Sequence, residues 1–168
     1  MKIAASRITK DSERGNAIVE ATVILLLMFG LLFLVVDLSL ALFTKATLQT
    51  AVEEGVRFAV TTRLATGQAY LNDSIVQVVQ QNSLGMLNGA NGACKISINY
   101  SNPVTGAAST GNGGDVVEVS VAGYKYTPVG ILKSANPISI TASSSDVMES
   151  CPLGGCPPIA NPAPPVCN

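Results

Sequence analysis

The chain has 168 residues, of which 48% are hydrophobic and only 12% are charged, against about 25% charged residues in ordinary soluble domains. Its net charge of −1 argues against a nucleic-acid partner, and the absence of histidine removes the commonest general base and metal ligand. We therefore expect no enzyme, no cofactor and no metal site, but a chain that packs against membrane lipid or other protein subunits.

The first predicted element is an apolar helix that follows a short polar leader. Residues 1–15 carry four basic and two acidic side chains and show no apolar periodicity. Residues 16–43 contain only two charges, Glu20 and Asp37, and a hydrophobic stretch of about 20 residues can cross a bilayer as a helix. The sequence predicts a cytoplasmic leader and one transmembrane helix over 16–43. Because basic flanks stay in the cytoplasm, the C-terminal part is expected outside the inner membrane.

The apolar stretch also has a second interpretation, a cleaved secretory signal. Ser39 and Ala41 flank Leu40 in the small-x-small pattern that a signal peptidase accepts. The stretch is longer than the usual apolar region of a signal peptide, which has about 7–15 residues. The residues alone leave both interpretations open.

Beyond the membrane span, the pattern predicts a small α+β domain. Apolar residues recur every three or four positions over 44–67, which predicts an amphipathic continuation of the helix. Residues 68–150 form the predicted domain, with a short helix capped by Asp73 or Ser74 and a long loop over 102–115. A turn is expected over 88–92 and strands near 95–100, 117–126 and 138–148. We expect a long N-terminal helix packed on a small antiparallel sheet of about three strands.

The remaining segment, residues 151–168, is rich in proline and cysteine and is expected to be attached to the domain by disulfides. All four cysteines follow the membrane span, which in an exported protein predicts two disulfides with three possible pairings. Free thiols are one alternative, and a zinc site without histidine is a weaker one. The cysteines are Cys94, Cys151, Cys156 and Cys167.

A short motif opens the apolar helix. Gly15 is followed by Asn-Ala-Ile-Val-Glu, which places Glu20 fifth after the glycine. Together with Val36-Asp37 and the sequence of residues 46–59, this motif resembles the TadE-like family. These proteins are minor pseudopilins of the tight-adherence (Flp) pilus systems, with a type IV prepilin-like N-terminus.

The resemblance implies a pilin-like fold and specific roles for four residues. It implies cleavage between Gly15 and Asn16 by a prepilin peptidase. It further implies that Glu20 pairs with the amine of a neighbouring subunit during assembly, with snorkelling at the membrane edge as the alternative. Asp37 is a candidate helix-packing or interface residue, with plain solvation as the alternative.

The resemblance also implies a role in assembling a Tad pilus for adhesion and surface attachment. The implied partners are the prepilin peptidase, other pilins and pseudopilins, the inner-membrane pilus machinery and membrane lipid. Two alternatives stay open: an adhesive or capping module at the pilus tip that uses residues 151–168, and a plain signal-anchored exported domain.

Overall fold

A computed structural model describes the backbone of residues 8–128, 137–151 and 156–159, and the side chains of these residues from 16 onward. The elements are three helices followed by three strands, which confirms the α+β class. They are α1 (Ile8–Val60), α2 (Leu71–Asn82), α3 (Gly89–Ala93), β1 (Ile96–Ser101), β2 (Val116–Tyr126) and β3 (Ile138–Val147).

The described residues separate into two compact units. One is the part of α1 that ends at Leu40, and the other is a globular unit that runs from Ala41 to Thr127 and resumes at Pro137. In the globular unit, the C-terminal part of α1 packs on a three-stranded antiparallel sheet, as the sequence predicts. The strand order is β1-β2-β3, with β2 in the centre.

The C-terminal part of α1 buries the apolar stripe that its periodicity predicts. The side chains of this stripe are almost fully buried because spacings of three and four place them on one face of a helix. They meet the buried valines of β2, which alternate with exposed or half-buried polar residues in the pattern of a half-buried strand. The helix contributes Leu48, Ala51, Val52, Val56 and Ala59, and the strand contributes Val117, Val119 and Val121.

The helix α1 ends at Val60, before the end of the predicted amphipathic segment at residue 67. Thr62 has a backbone φ of 50°, the left-handed conformation that commonly terminates helices. The carbonyl of Val60 accepts a hydrogen bond from the Glu149 backbone amide at 3.2 Å. The chain beyond β3 therefore satisfies one of the carbonyls that a helix end leaves without an intrahelical partner.

Three local predictions about helices were wrong. The helix α1 already begins at Ile8, within residues that show no apolar periodicity. The N-cap of α2 is Tyr70 rather than Asp73 or Ser74, since Ser74 lies inside the helix and donates its hydroxyl to the Tyr70 carbonyl. The turn expected over 88–92 is replaced by helix α3.

Helix α3 forms in a segment whose asparagine and glycine content disfavours a helix. The Gln80 side-chain amide donates to the carbonyls of Leu87, at 2.7 Å, and Gly89, at 3.0 Å. A side chain of α2 therefore fixes the entry to α3. This contact between a side chain and the backbone of the next segment has no signature in the sequence pattern.

Gly55 lies where α1 faces both α2 and β2. A methyl group at this position would collide with Val79 of α2, and would also touch Ile75 and Val119 at 3.7 and 3.8 Å. The absence of a side chain at Gly55 therefore sets the separation of the two helices.

We expect Gly55→Ala to lower the free energy of unfolding of the globular unit by about 1–3 kcal/mol, because the added methyl group overpacks a close-packed core. At an exposed helical site the same change would raise stability by about 1 kcal/mol. Pulse proteolysis of the full chain in detergent, over a urea series, measures the difference. Ala46→Ser, which adds one atom to an exposed site of α1, is the control. A Gly55→Ala protein as stable as the parent would contradict this packing.

Tyr100 of β1 joins the sheet to α2 by a single polar contact. Its phenol donates to the Asn72 side-chain carbonyl at 2.7 Å. Burial raises the pKa of the Tyr100 phenol well above its usual range, because removal from water disfavours the phenolate. The folded chain therefore keeps this proton at pH values where the unfolded chain has released it.

We expect a pH dependence of stability that traces to Tyr100. The contribution of the Tyr100 phenol to the free energy of unfolding is complete below a pH of about 10, the pKa of an unfolded tyrosine. Above that pH the contribution is lost by up to about 1.4 kcal/mol per pH unit, because the unfolded chain releases the proton first. Tyr100→Phe should cost about 1 kcal/mol at neutral pH but lose less stability between pH 10 and 11. Urea unfolding followed by circular dichroism tests this. Tyr124→Phe is the control, and an unchanged alkaline slope in Tyr100→Phe would refute the assignment.

Candidate assembly segment

The predicted processing site lies within a continuous helix. Helix α1 runs from Ile8 to Val60, so the backbone is helical at both Gly15 and Asn16. The Asn16 side chain is exposed. Cleavage of the peptide bond between the two residues remains a prediction that rests on the motif.

The part of α1 that follows presents an apolar surface on most of its sides. From Ile18 to Phe43 its large apolar side chains are each between 41% and 72% exposed. Among the described residues, one helix is long and apolar enough to cross a membrane, and only 6% of its most apolar window is buried inside the protein. A helix that is apolar on nearly all sides and largely uncovered by protein is typical of a membrane span.

The spacing of its two acids constrains how this helix can sit in a bilayer. Glu20 and Asp37 enclose 16 uncharged residues, which span about 24 Å at 1.5 Å per residue. The hydrocarbon core is about 30 Å thick. A span of about 20 residues placed within 16–43 therefore includes at least one of the two carboxylates or carries it at the edge of the hydrocarbon.

The side chains of the two acids have different environments in the structure. Asp37 is only 5% exposed and takes part in a polar or charged interaction, so plain solvation does not describe its environment. Glu20 is exposed among apolar neighbours, and no described residue pairs with it. A carboxylate in this position is costly in lipid unless a partner compensates it. Within the described part of the chain, Glu20 therefore differs from Asp37 in being exposed.

The cysteines support the expected disulfides. Cys151 and Cys156 form a disulfide, with their Cα atoms 5.1 Å apart. Cys94 is also disulfide-bonded, and Cys167 lies outside the described residues. The described residues hold no group of metal-ligating side chains that could bind an ion. Local sequence gave no signal for two further features, the contact at Gly55 and the Tyr100–Asn72 hydrogen bond.

The comparison with protein families gives a match in the N-terminal part of the chain. The model of the family described as "TadE-like protein" matches residues 15–57. The comparisons with curated proteins and with solved structures found no significant match. The matched segment begins at Gly15 and includes the exposed apolar helix, Glu20, Asp37 and most of the buried stripe of α1.

The family is one of components of the Tad pilus, and it is not known for enzymatic activity. Its match, together with one exposed apolar helix near the N-terminus, indicates a membrane-anchored protein associated with a Tad pilus. Residues 15–57 therefore match the family that the motif at Gly15 indicated.

Proposed function

We propose that this chain is a minor pseudopilin that a prepilin peptidase cuts between Gly15 and Asn16 before it enters or primes a Tad pilus. The observation that carries the proposal is the start of the family match at Gly15, directly before the exposed apolar segment of α1. Glycine at the cut allows close approach of the backbone to an enzyme, because it has no Cβ.

Cleavage would place a new charge close to Glu20. The amine of Asn16 would lie about 6 Å from Glu20 along the helix axis. In an apolar environment both groups need compensation, and a carboxylate and an ammonium from neighbouring subunits supply it mutually. The bundling of apolar helices that carry this pair is the proposed mechanism of assembly. Its partners would be other pilins and pseudopilins, the inner-membrane pilus machinery and lipid.

The orientation in the membrane follows from charge. The basic residues of the leader would stay on the cytoplasmic side of the inner membrane, which keeps the cut there, and the globular unit would lie on the periplasmic or extracellular side. Disulfide bonding of the described cysteines fits an oxidising compartment. A role of the pilus in adhesion follows from the family alone.

An adhesive tip module is the alternative within the same pilus. In that case the last 18 residues would form the binding surface. The backbone carbonyls of Pro158 and Ile159, however, accept hydrogen bonds from α2, and Ile159 packs against the core of the globular unit. This packing favours a structural role for the described part of the tail.

The first test is the amino terminus of the mature protein from native membranes, with and without the prepilin peptidase. We expect a start at Asn16 that requires the peptidase, and we expect Gly15→Val to block it because a branched side chain obstructs the cut. Gly30→Val, a matched change inside the apolar helix, should be processed normally. A start at Leu42 would instead show a cleaved signal peptide, and an intact Met1 would show a plain signal anchor.

The second test concerns the charge of Glu20. We expect Glu20→Gln to reduce the number of pili at least about tenfold. The substitution would leave the ammonium of the neighbouring subunit unpaired in lipid, which costs about 2.5–3.5 kcal/mol, and each 1.4 kcal/mol is a factor of ten. Membrane insertion and processing should be unchanged by immunoblot. Glu53→Gln, which removes an exposed carboxylate from the same helix, is the control. Normal pili in the Glu20→Gln strain would exclude the proposed role.

A further inference from the structure

The N-terminus of α2 is held by the tail of the chain. A helix leaves its first backbone amides without intrahelical partners, and the N-cap residue Tyr70 makes no side-chain hydrogen bond to them. The Leu71 amide donates instead to the Pro158 carbonyl at 2.9 Å, and the Asn72 amide donates to the Ile159 carbonyl at 3.0 Å. Residues 156–159, which we call the strap, therefore cap the N-terminus of α2.

A specific site receives the strap. Ile159 is half-buried and packs against the core of the globular unit. A side chain at Gly111 would collide with Ile159 and would lie 3.0 Å from the ring of Tyr100. Tyr100 in turn donates to Asn72, whose amide is one of the two that the strap binds. The strap thus fits between α2 and the loop that contains Gly111.

The disulfide ties the strap to a fixed point. Cys151 follows β3 and Met148, and the Met148 backbone exchanges hydrogen bonds with Gly114 and Asp115. The backbone at Cys151 also passes so close to Gly113 that a Cβ there would lie 3.2 Å from the Cys151 nitrogen. Its partner Cys156 is the first residue of the strap and is exposed. The disulfide therefore connects an anchored part of the chain to the part that caps α2.

We propose that the Cys151–Cys156 disulfide is a redox-sensitive catch that holds the strap on α2. When a dithiol reduces it, two electrons and two protons pass to the sulfurs of Cys151 and Cys156, the dithiol becomes a disulfide, and the strap leaves the helix. Reoxidation restores the cap. Exposure of Cys156 gives a dithiol access to the bond. This inference is independent of the pilus proposal, because it concerns the isolated protein.

Site-resolved hydrogen exchange on the full chain in detergent micelles tests the catch. In the double variant Cys151→Ser/Cys156→Ser, the amides of Leu71 and Asn72 should exchange about tenfold faster or more, because local release exposes them without global unfolding. Amides of the central strand β2 should keep their protection. The double variant is preferred to a reductant alone, since a reductant would also open the disulfide of Cys94.

A second variant tests the packing of the strap without changing a cysteine. Ile159→Ala should accelerate exchange at the same two amides, while Val104→Ala, at a side chain that is 90% exposed, should not. Unchanged exchange at Leu71 and Asn72 in the double variant would overturn the proposal. So would a loss of protection throughout β2, since the disulfide would then support the whole unit rather than the strap.

Discussion

The globular unit depends on the close contact between α1 and α2 at Gly55. A methyl group there would meet residues of α2 and of the central strand together, so all three elements share one point of contact. Protein interiors are packed too densely to absorb an extra methyl group without cost. A position that carries no side chain therefore fixes how near the helices lie, and the buried valines of β2 complete the same core.

Polar groups organise the parts of the unit that apolar packing does not reach. Asp115 is buried, and its carboxylate accepts hydrogen bonds from the Ser109 hydroxyl and, at 2.6 Å, from the Asn112 amide. Ser74 accepts from the Ala65 amide and so ties the segment after α1 to α2. Among the described residues, no buried side-chain nitrogen or oxygen lacks a hydrogen-bond partner. Loops with little apolar content are thereby given a defined conformation.

These two kinds of contact explain which features the sequence predicts. The apolar stripe of α1 and the alternation of Val117, Val119 and Val121 are periodic, and periodicity reports directly on a buried face. The start of α2 at Leu71 depends on carbonyls that lie more than 80 residues away in the chain, at Pro158 and Ile159. Helix α3 depends on a side chain of the preceding helix, Gln80, whose contact is nearer in the chain but is not part of any periodic pattern. Local propensity cannot register such contacts, so the predicted element boundaries failed there.

The candidate site was easier to find than to interpret, because the sequence shows which residues are charged but not how they are surrounded. A carboxylate in a long apolar run is conspicuous in the sequence, and the motif that begins at Gly15 gave it a family context. What the sequence could not show is that the protein covers Asp37 and leaves Glu20 exposed among apolar side chains. Any span of about 20 residues within 16–43 includes one of the two acids or carries it at its edge. The difference in their exposure therefore bears on the cost of placing this helix in lipid. An acid already covered has less need of an external partner, which is why the proposed pairing is assigned to Glu20.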